Sequence, residues 1–273
     1  MPRARTSPLV LKLGGELLEQ PQDLERVARG IASLARKAPL VVVHGGGREI
    51  DAALATAGIP KQQVDGLRIT DAPTLDVVVA VLAGAINTRL VAAVRHAGGR
   101  PVGLTGADAG VVTVRRAAPI VSVAGKTVDL GLVGAPATNG TPQLLHDLLT
   151  AGYVPVIACI GATRTGQLLN VNADTLASQI ASDLGASRLV IAGGTAGVLD
   201  AAGATIPTLT SRDADRLIRA GTANKGMVAK LQACRTAVRR GVRDVVIANG
   251  RQIRFEALLA AAALPAGCTQ VVR

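Results

Sequence analysis

Aromatic side chains are almost missing from this 273-residue chain: Tyr153 and Phe255 stand alone and tryptophan is absent. That excludes single-stranded nucleic-acid binding by base stacking, which needs aromatic platforms. The core must instead be built from Ala, Val, Leu and Ile. Cysteine is scarce as well. Cys159, Cys234 and Cys268 are odd in number and widely spaced, so they form neither a disulfide framework nor a zinc pattern. Incidental thiols in a reducing cytoplasm fit them. No uninterrupted apolar run approaches the ~20 residues of a membrane span. The longest candidate, Val77 to Ile86, is interrupted by Gly84. Met1 to Ser7 carries two arginines without an apolar segment behind them, so no signal peptide is expected. Acidic residues are few, 19 against 30 Lys and Arg, for a net charge of +11. This balance favours anionic partners. The arginines are nevertheless scattered along helix-like stretches, as at Arg235, Arg239, Arg240 and Arg243, which is the pattern of a solvated face. Neither a membrane nor a nucleic acid is an expected partner.

What is present alternates. Strand-like runs occupy Leu9–Leu13, Leu40–Val43, Val154–Ala158, Arg188–Ala192, Val242–Ala248 and Thr269–Val272. Helix-like stretches lie between them at Gln22–Lys37, Arg48–Ala57, Ala72–His96, Asp174–Leu184, Ser211–Ala220, Gly226–Arg239 and Phe255–Leu264. The alternation predicts an α/β fold with a mainly parallel sheet. The strands are continuous apolar runs, as sheets covered on both faces require. Gln62–Thr70 and Val111–Val133 read instead as hairpin regions. No linker separates independent domains. The chain divides into an N-terminal lobe, residues 1–160, and a C-terminal lobe, residues 161–273.

Five segments carry chemistry. Lys12-Leu13-Gly14-Gly15 and His44-Gly45-Gly46-Gly47 each close an apolar strand with glycines. Bare backbone at two strand tips, one with a lysine and one followed by a helix, suits an anion. Cations and oriented N–H groups are what a transferring phosphoryl group needs. Neither loop has the spacing of a Walker A or a Rossmann fingerprint. Arg68 lies in Gly66-Leu67-Arg68-Ile69-Thr70-Asp71, just before a helix that Thr70 or Asp71 could cap. Its guanidinium could bind a carboxylate in bidentate fashion. Asn170 and Asn172 are two apart, so on an extended strand they would point the same way and grip a polar substrate. Capping of the next helix by Asn172 or Asp174 is the competing role. Lys230 sits early in its helix, where the macrodipole disfavours a cation unless an anion is near.

Taken together and in order, these segments resemble the amino-acid kinase family, most closely its branch acting on N-acetyl-L-glutamate. Gly84-Ala85-Ile86-Asn87 and Asp129-Leu130-Gly131-Leu132-Val133-Gly134 extend the match, which runs from about Leu9 to Val272. The resemblance implies a three-layer α/β/α sandwich. It also implies phosphorylation of the N-acetyl-L-glutamate side-chain carboxylate by ATP with Mg2+, in arginine biosynthesis. In that reading Lys12 and Lys230 are the catalytic cations and Asp174 holds both. Gly14, Gly15 and Gly46 would offer N–H groups to phosphate. Gly46, Gly47, Arg68, Asn170 and Asn172 would contact the amino acid. The nucleotide would rest on Gly194, Thr195, Ala196, Gly197, Val198 and Leu199 and on Thr222, Ala223 and Asn224. No residue is assigned to a metal.

The chain departs from the family pattern at Gly193-Gly194, where a Thr/Ser-Asp pair is usual, and at Lys225 before Gly226. Only about seven residues precede the first strand, so the resemblance implies a homodimer without arginine feedback. The helix Ala72–His96 and the hairpin region are its candidate interface. Two other readings compete. One is a kinase for 2-aminoadipate or glutamate on an acidic carrier protein, in the lysine route. The other is a non-catalytic, basic regulatory or nucleic-acid-binding relative, against which the set Lys12, Asp174 and Lys230 argues.

Overall fold

The computed structural model describes residues 7–122, 124–137, 142–219, 221, 225–259 and 264–273. Eight strands form the central sheet: β1 (Leu9–Leu13), β2 (Leu40–His44), β3 (Pro101–Thr105), β4 (Val154–Ala158), β5 (Arg188–Gly193), β6 (Thr208–Thr210), β7 (Asp244–Asn249) and β8 (Thr269–Val272). Their order is β6-β8-β7-β5-β1-β2-β4-β3. All neighbours are parallel except β7 and β8. The strands of the first half of the chain therefore lie on one side of the β1–β5 seam and those of the second half on the other.

Helices cover both faces. Pro21–Ala35 packs beside Asn87–His96 and the short turn Phe255–Leu259, while Ala173–Asp183 packs beside Lys225–Arg239. β1, β2, β4 and β5 are buried along their whole length, which is why they read as unbroken apolar runs. Buried Leu, Val, Ile and Ala dominate the core, with Phe255 its one large ring.

A second, four-stranded sheet stands beside the first. It runs Ile160–Ala162, Leu168–Val171, Val133–Pro136, Val114–Arg116. The hairpin Gln63–Val64 with Leu67–Arg68 turns through Asp65 and Gly66, both at positive φ. A further hairpin pairs Ile120–Val121 with Thr127–Val128. Both hairpin regions fall where the sequence places them.

One expectation is corrected. Gly84 does not break its apolar stretch: Ala72–Val79 continues through a π-helical segment, Ala80–Ile86, into Asn87–His96. Among the described residues this 25-residue helix, Ala72–His96, is long and apolar enough to cross a membrane by length and composition. Its Leu75, Val78, Leu82, Ile86, Leu90 and Val94 are buried at helical spacing against the core. Asp71 caps it, accepting the Thr74 N–H at 3.0 Å. Ala220 and residues 260–263, inside two of the predicted helices, lie outside the described residues.

Candidate active site

The site lies beyond the carboxyl ends of β5, β1 and β2, where open α/β sheets bind ligands. Parallel pairing sets Leu13 beside both His44 and Ala192, so three loops leave the sheet at one level. The two glycine loops touch. A Cβ on Gly15 would stand 2.7 Å from the Gly46 Cα, and one on Gly46 would stand 2.2 Å from the Ile86 Cδ1. At Gly15 the obstacle is backbone and glycine is required for lack of space; at Gly46 it is the end of the Ile86 side chain, which would have to move. The Gly15, Gly46 and Gly47 N–H groups have no acceptor among the described residues, and Gly47 opens the helix Gly47–Thr56. Gly14 differs from its expected role. Its N–H donates to the Ala192 carbonyl at 2.8 Å, so its donor belongs to the sheet.

Beneath the loops lie the cations. Lys12 Nζ is 2.7 Å from Asp174 Oδ1 and Lys230 Nζ is 3.6 Å from Asp174 Oδ2. The side chains of Lys12 and Asp174 are each only 6% exposed and that of Lys230 19%, so this is a desolvated triad rather than a surface bridge. Burial disfavours the charge on Asp174, but Lys12 and Lys230 outweigh it and hold the carboxyl below its usual range. Burial likewise opposes the charge on Lys12, and Asp174, with a smaller contribution from Glu16, raises its pKa. One carboxylate thus fixes two ammonium groups that arrive from a strand and from a helix of the other half of the chain.

On the β2 side the Arg68 side chain is buried. It is 7% exposed and paired with Asp51, which also takes Lys61 at 2.6 Å. Its Nη2 reaches the Gly47 carbonyl at 3.3 Å, and its Nη1 is buried without a partner, a donor available to a carboxylate. Asn170 Nδ2 donates to Thr70 Oγ1 at 3.2 Å, tying the second sheet to the strand that carries Arg68.

Asn172 does not share a strand with Asn170. It is the N-cap of Ala173–Asp183, and its Oδ1 accepts the N–H groups of Asp174 and Thr175 at 3.0 and 3.1 Å. Its carbonyl oxygen is therefore committed to setting Asp174 in the first turn, and the expected paired grip is corrected.

The stretch 194–199 is mixed. Gly194 and Thr195 are exposed, just past Gly193, where a Cβ would lie 3.7 Å from Lys230 Cε; Gly197, at φ +46°, leaves no room for a Cβ beside Thr269. Val198 is buried and donates its N–H to Thr269 Oγ1 at 2.7 Å, so these two residues serve packing. Thr222, Ala223 and Asn224 lie outside the described residues.

Three residues join the site without having been singled out in the sequence. Glu16 accepts the Gly194 N–H at 2.8 Å across the seam. His44 is fully buried below its glycines; Asn87 Nδ2 stands 3.1 Å from its Nε2, and its Nδ1 is 3.2 Å from the Gly45 carbonyl. For Asn87 to donate, His44 must be neutral with the proton on Nδ1. Burial above all lowers its pKa to about 4. Asn87 also donates to the Val156 carbonyl at 2.9 Å, binding the long helix to β4. Position directly after a strand-tip glycine pair was the available signal for Glu16. His44 and Asn87 stand in the segments His44-Gly45-Gly46-Gly47 and Gly84-Ala85-Ile86-Asn87, where the sequence attached no role to either side chain.

A family model described as the amino acid kinase family matches residues 7–249. An acetylglutamate kinase from Sorangium cellulosum is 44% identical over 248 residues, covering 89% of this chain and 87% of that protein. One from Rhodopseudomonas palustris is 40% identical over 256 residues, covering 92% and 86%. Among solved structures, an N-acetylglutamate synthase from Neisseria gonorrhoeae, complexed with coenzyme A and N-acetyl-glutamate, is similar with a TM-score of 0.80 and 26% identity. The match covers 98% of this chain and 60% of that one. A carbamate kinase from Giardia lamblia bound to AMP-PNP shares the fold, with a TM-score of 0.67 at 15% identity over 98% of this chain and 99% of that one.

Proposed function

This chain belongs to the amino acid kinase family, and from that premise we propose that it transfers the γ-phosphoryl group of ATP to the side-chain carboxylate of N-acetyl-L-glutamate, a step of arginine biosynthesis. The observation that carries the reading is the Lys12–Asp174–Lys230 triad lying under two glycine loops. A carboxylate oxygen carries no proton at neutral pH, so attack on phosphorus needs no general base. The O–P bond to the acceptor forms as the bond to the ADP oxygen breaks. The barrier is electrostatic, because two anions must meet in line. Lys12 and Lys230 neutralise the equatorial oxygens, and the Gly15 and Gly46 N–H groups orient them. Arg68 clamps the α-carboxylate of the amino acid through its unpartnered Nη1. Asn170 borders that subsite. The first half of the chain, to about residue 160, holds the amino acid, and the second half holds the nucleotide along Gly194 and Thr195.

Among the described residues no group of three His, Cys, Asp or Glu side chains converges. Mg2+ belongs to the nucleotide phosphates and water in this reading.

A homodimer joined through Ala72–His96 fits the open side of that helix. Ala80, Gly84, Ala85 and Ala92 are exposed there, and only 39% of its most apolar window is buried. A cytoplasmic location suits a consumer of ATP whose three cysteines are all free thiols.

The test is hydroxylamine trapping of the acyl phosphate, with Mg-ATP and free N-acetyl-L-glutamate and no carrier protein. Hydroxamate should form with the native chain and fall by on the order of 100-fold or more in Lys12→Ala and in Lys230→Ala. An unchanged kcat in both variants would defeat the assignment of the cations.

A further inference from the structure

The donor side of the site is already occupied by a side chain. Glu16 follows the first glycine pair on a short helical turn, Gly15–Leu17. Its carboxylate leaves the β1 loop and crosses to the tip of β5, where Oε1 accepts the Gly194 N–H at 2.8 Å. Gly14 and, less tightly, Gly193 make room for it, while Gly194 lies at ordinary contact distance. A Cβ on Gly14 would lie 2.4 Å from Oε2, and Cβ atoms on Gly193 and Gly194 would lie 3.2 and 3.6 Å from Oε1. The Gly193 position also lies 3.7 Å from the Lys230 Cε, and the Glu16 charge acts on Lys12. The carboxylate is thus anchored on an exposed backbone N–H, with Lys230 on the far side of Gly193 and Lys12 within reach of its charge. The local charges, Lys12 and Lys230 against Asp174 and Glu16, sum to zero.

We propose that the Glu16 carboxylate is an internal anion holding the donor-phosphate position in the ligand-free protein, which a phosphate of the nucleotide displaces on binding. The inference rests on the reading of this site as that of an ATP-dependent phosphotransferase. A phosphate oxygen and a carboxylate oxygen want the same N–H and the same ammonium groups. They cannot share them without repulsion. Glu16 is half-exposed and its backbone sits outside the strand, so rotation about its own side-chain bonds frees the position. Donor affinity is then reduced by the fraction of molecules in which Glu16 is already out of the way. Glu16 sets how much nucleotide is needed without touching the reacting atoms.

Titration calorimetry on the full chain tests this with ADP and with adenosine, at fixed ionic strength and fixed Mg2+. Glu16→Gln keeps the shape and removes the charge. It should bind ADP on the order of tenfold more tightly than the native chain, while adenosine, which has no phosphate, binds both alike. Glu16→Asp, one methylene too short to span the gap, should also bind ADP more tightly, and it carries the test if the Gln variant shows a lowered unfolding midpoint. Equal or weaker ADP binding by folded variants, with the native chain binding normally, overturns the proposal and leaves the donor site intact. A tightening that is equal for adenosine overturns it too, since the effect would not involve phosphate. Absence of ADP binding to the native chain would remove the donor site and the proposal together.

Discussion

Replacing Asp174 by Asn changes one atom type in the middle of the triad and should do two separable kinds of damage. At an effective dielectric of about 20, a unit-charge pair at 2.7 Å attracts by about 6 kcal/mol and one at 3.6 Å by about 5 kcal/mol. These are gross attractions, set against the desolvation of three buried ions. Removing the single anion leaves Lys12 buried and unpaired, and losses of that kind amount to about 3–5 kcal/mol. Urea unfolding at pH 7 should show a deficit of this size.

The pH dependence identifies the cause. Asp174 keeps the Lys12 pKa above its usual 10.5 against burial. With the carboxylate gone burial prevails, and the folded pKa of Lys12 drops below its unfolded value. A group depressed in the folded state destabilises at low pH and stops doing so once pH rises above the unfolded value. The deficit of Asp174→Asn should therefore shrink as pH rises from 7 towards 10, while kcat at pH 7 falls on the order of 100-fold or more because neither ammonium is held in place. A variant within about 1 kcal/mol of the native chain, with a deficit flat in pH, would refute the triad as a coupled buried unit.

Other outcomes follow from the same geometry. His44, with its pKa lowered to about 4 by burial, should destabilise the fold as pH falls from 6.5 to 4, by about 3 kcal/mol in all, because the unfolded chain takes up the proton first; His44→Gln should flatten that part of the unfolding profile. Arg68→Ala should raise the KM for the amino acid on the order of 100-fold with kcat changed only a few-fold, since it removes binding shared by ground and transition states; a kcat loss without a KM change contradicts the clamp. Gly15→Ala places a Cβ 2.7 Å from the Gly46 Cα, so it should part the two loops and lower kcat on the order of 100-fold while the unfolding midpoint moves little. Ala85→Arg on the exposed side of the long helix should shift the sedimentation coefficient from dimer to monomer; an unchanged value would place the subunit interface elsewhere.

The eight-stranded sheet was legible where burial is two-sided. Leu9–Leu13 and Val154–Ala158 announce themselves as apolar runs and fold as such. β3, Pro101–Thr105, escaped notice because it is an edge strand, half-exposed, with Gly103 at its centre and no periodicity of its own. Gln143–Thr150 is a short helix with one fully buried residue, Leu145, and it gave equally little signal. In the site, single-residue chemistry was readable and contact was not. Lys12, Asp174 and Lys230 are chemically conspicuous and do converge. That Gly14 gives its N–H to Ala192, or that Glu16 meets Gly194, depends on chain segments nearly 180 residues apart coming to one level of the sheet. Asn172 shows the opposite failure. A spacing of two suggests a shared face only while the strand continues; here it ends at Val171, and Asn172 turns its side-chain oxygen to the first turn of the helix that starts at Ala173.

The long helix packs directly against the second glycine loop. Leu82 and Ile86, both in the π-helical segment, fill the space that a single methyl group on Gly46 would need. The opposite side of the same segment is the part left open by the fold, at Ala80, Gly84 and Ala85. Whatever rests on that outer surface is therefore separated from the catalytic loop by the thickness of one helix. Close-packed interiors transmit displacement, and here only the Leu82 and Ile86 side chains lie between. In the proposed dimer a push on that surface would reach Gly46 as a displacement, and the subunit contact would take part in aligning the reacting groups.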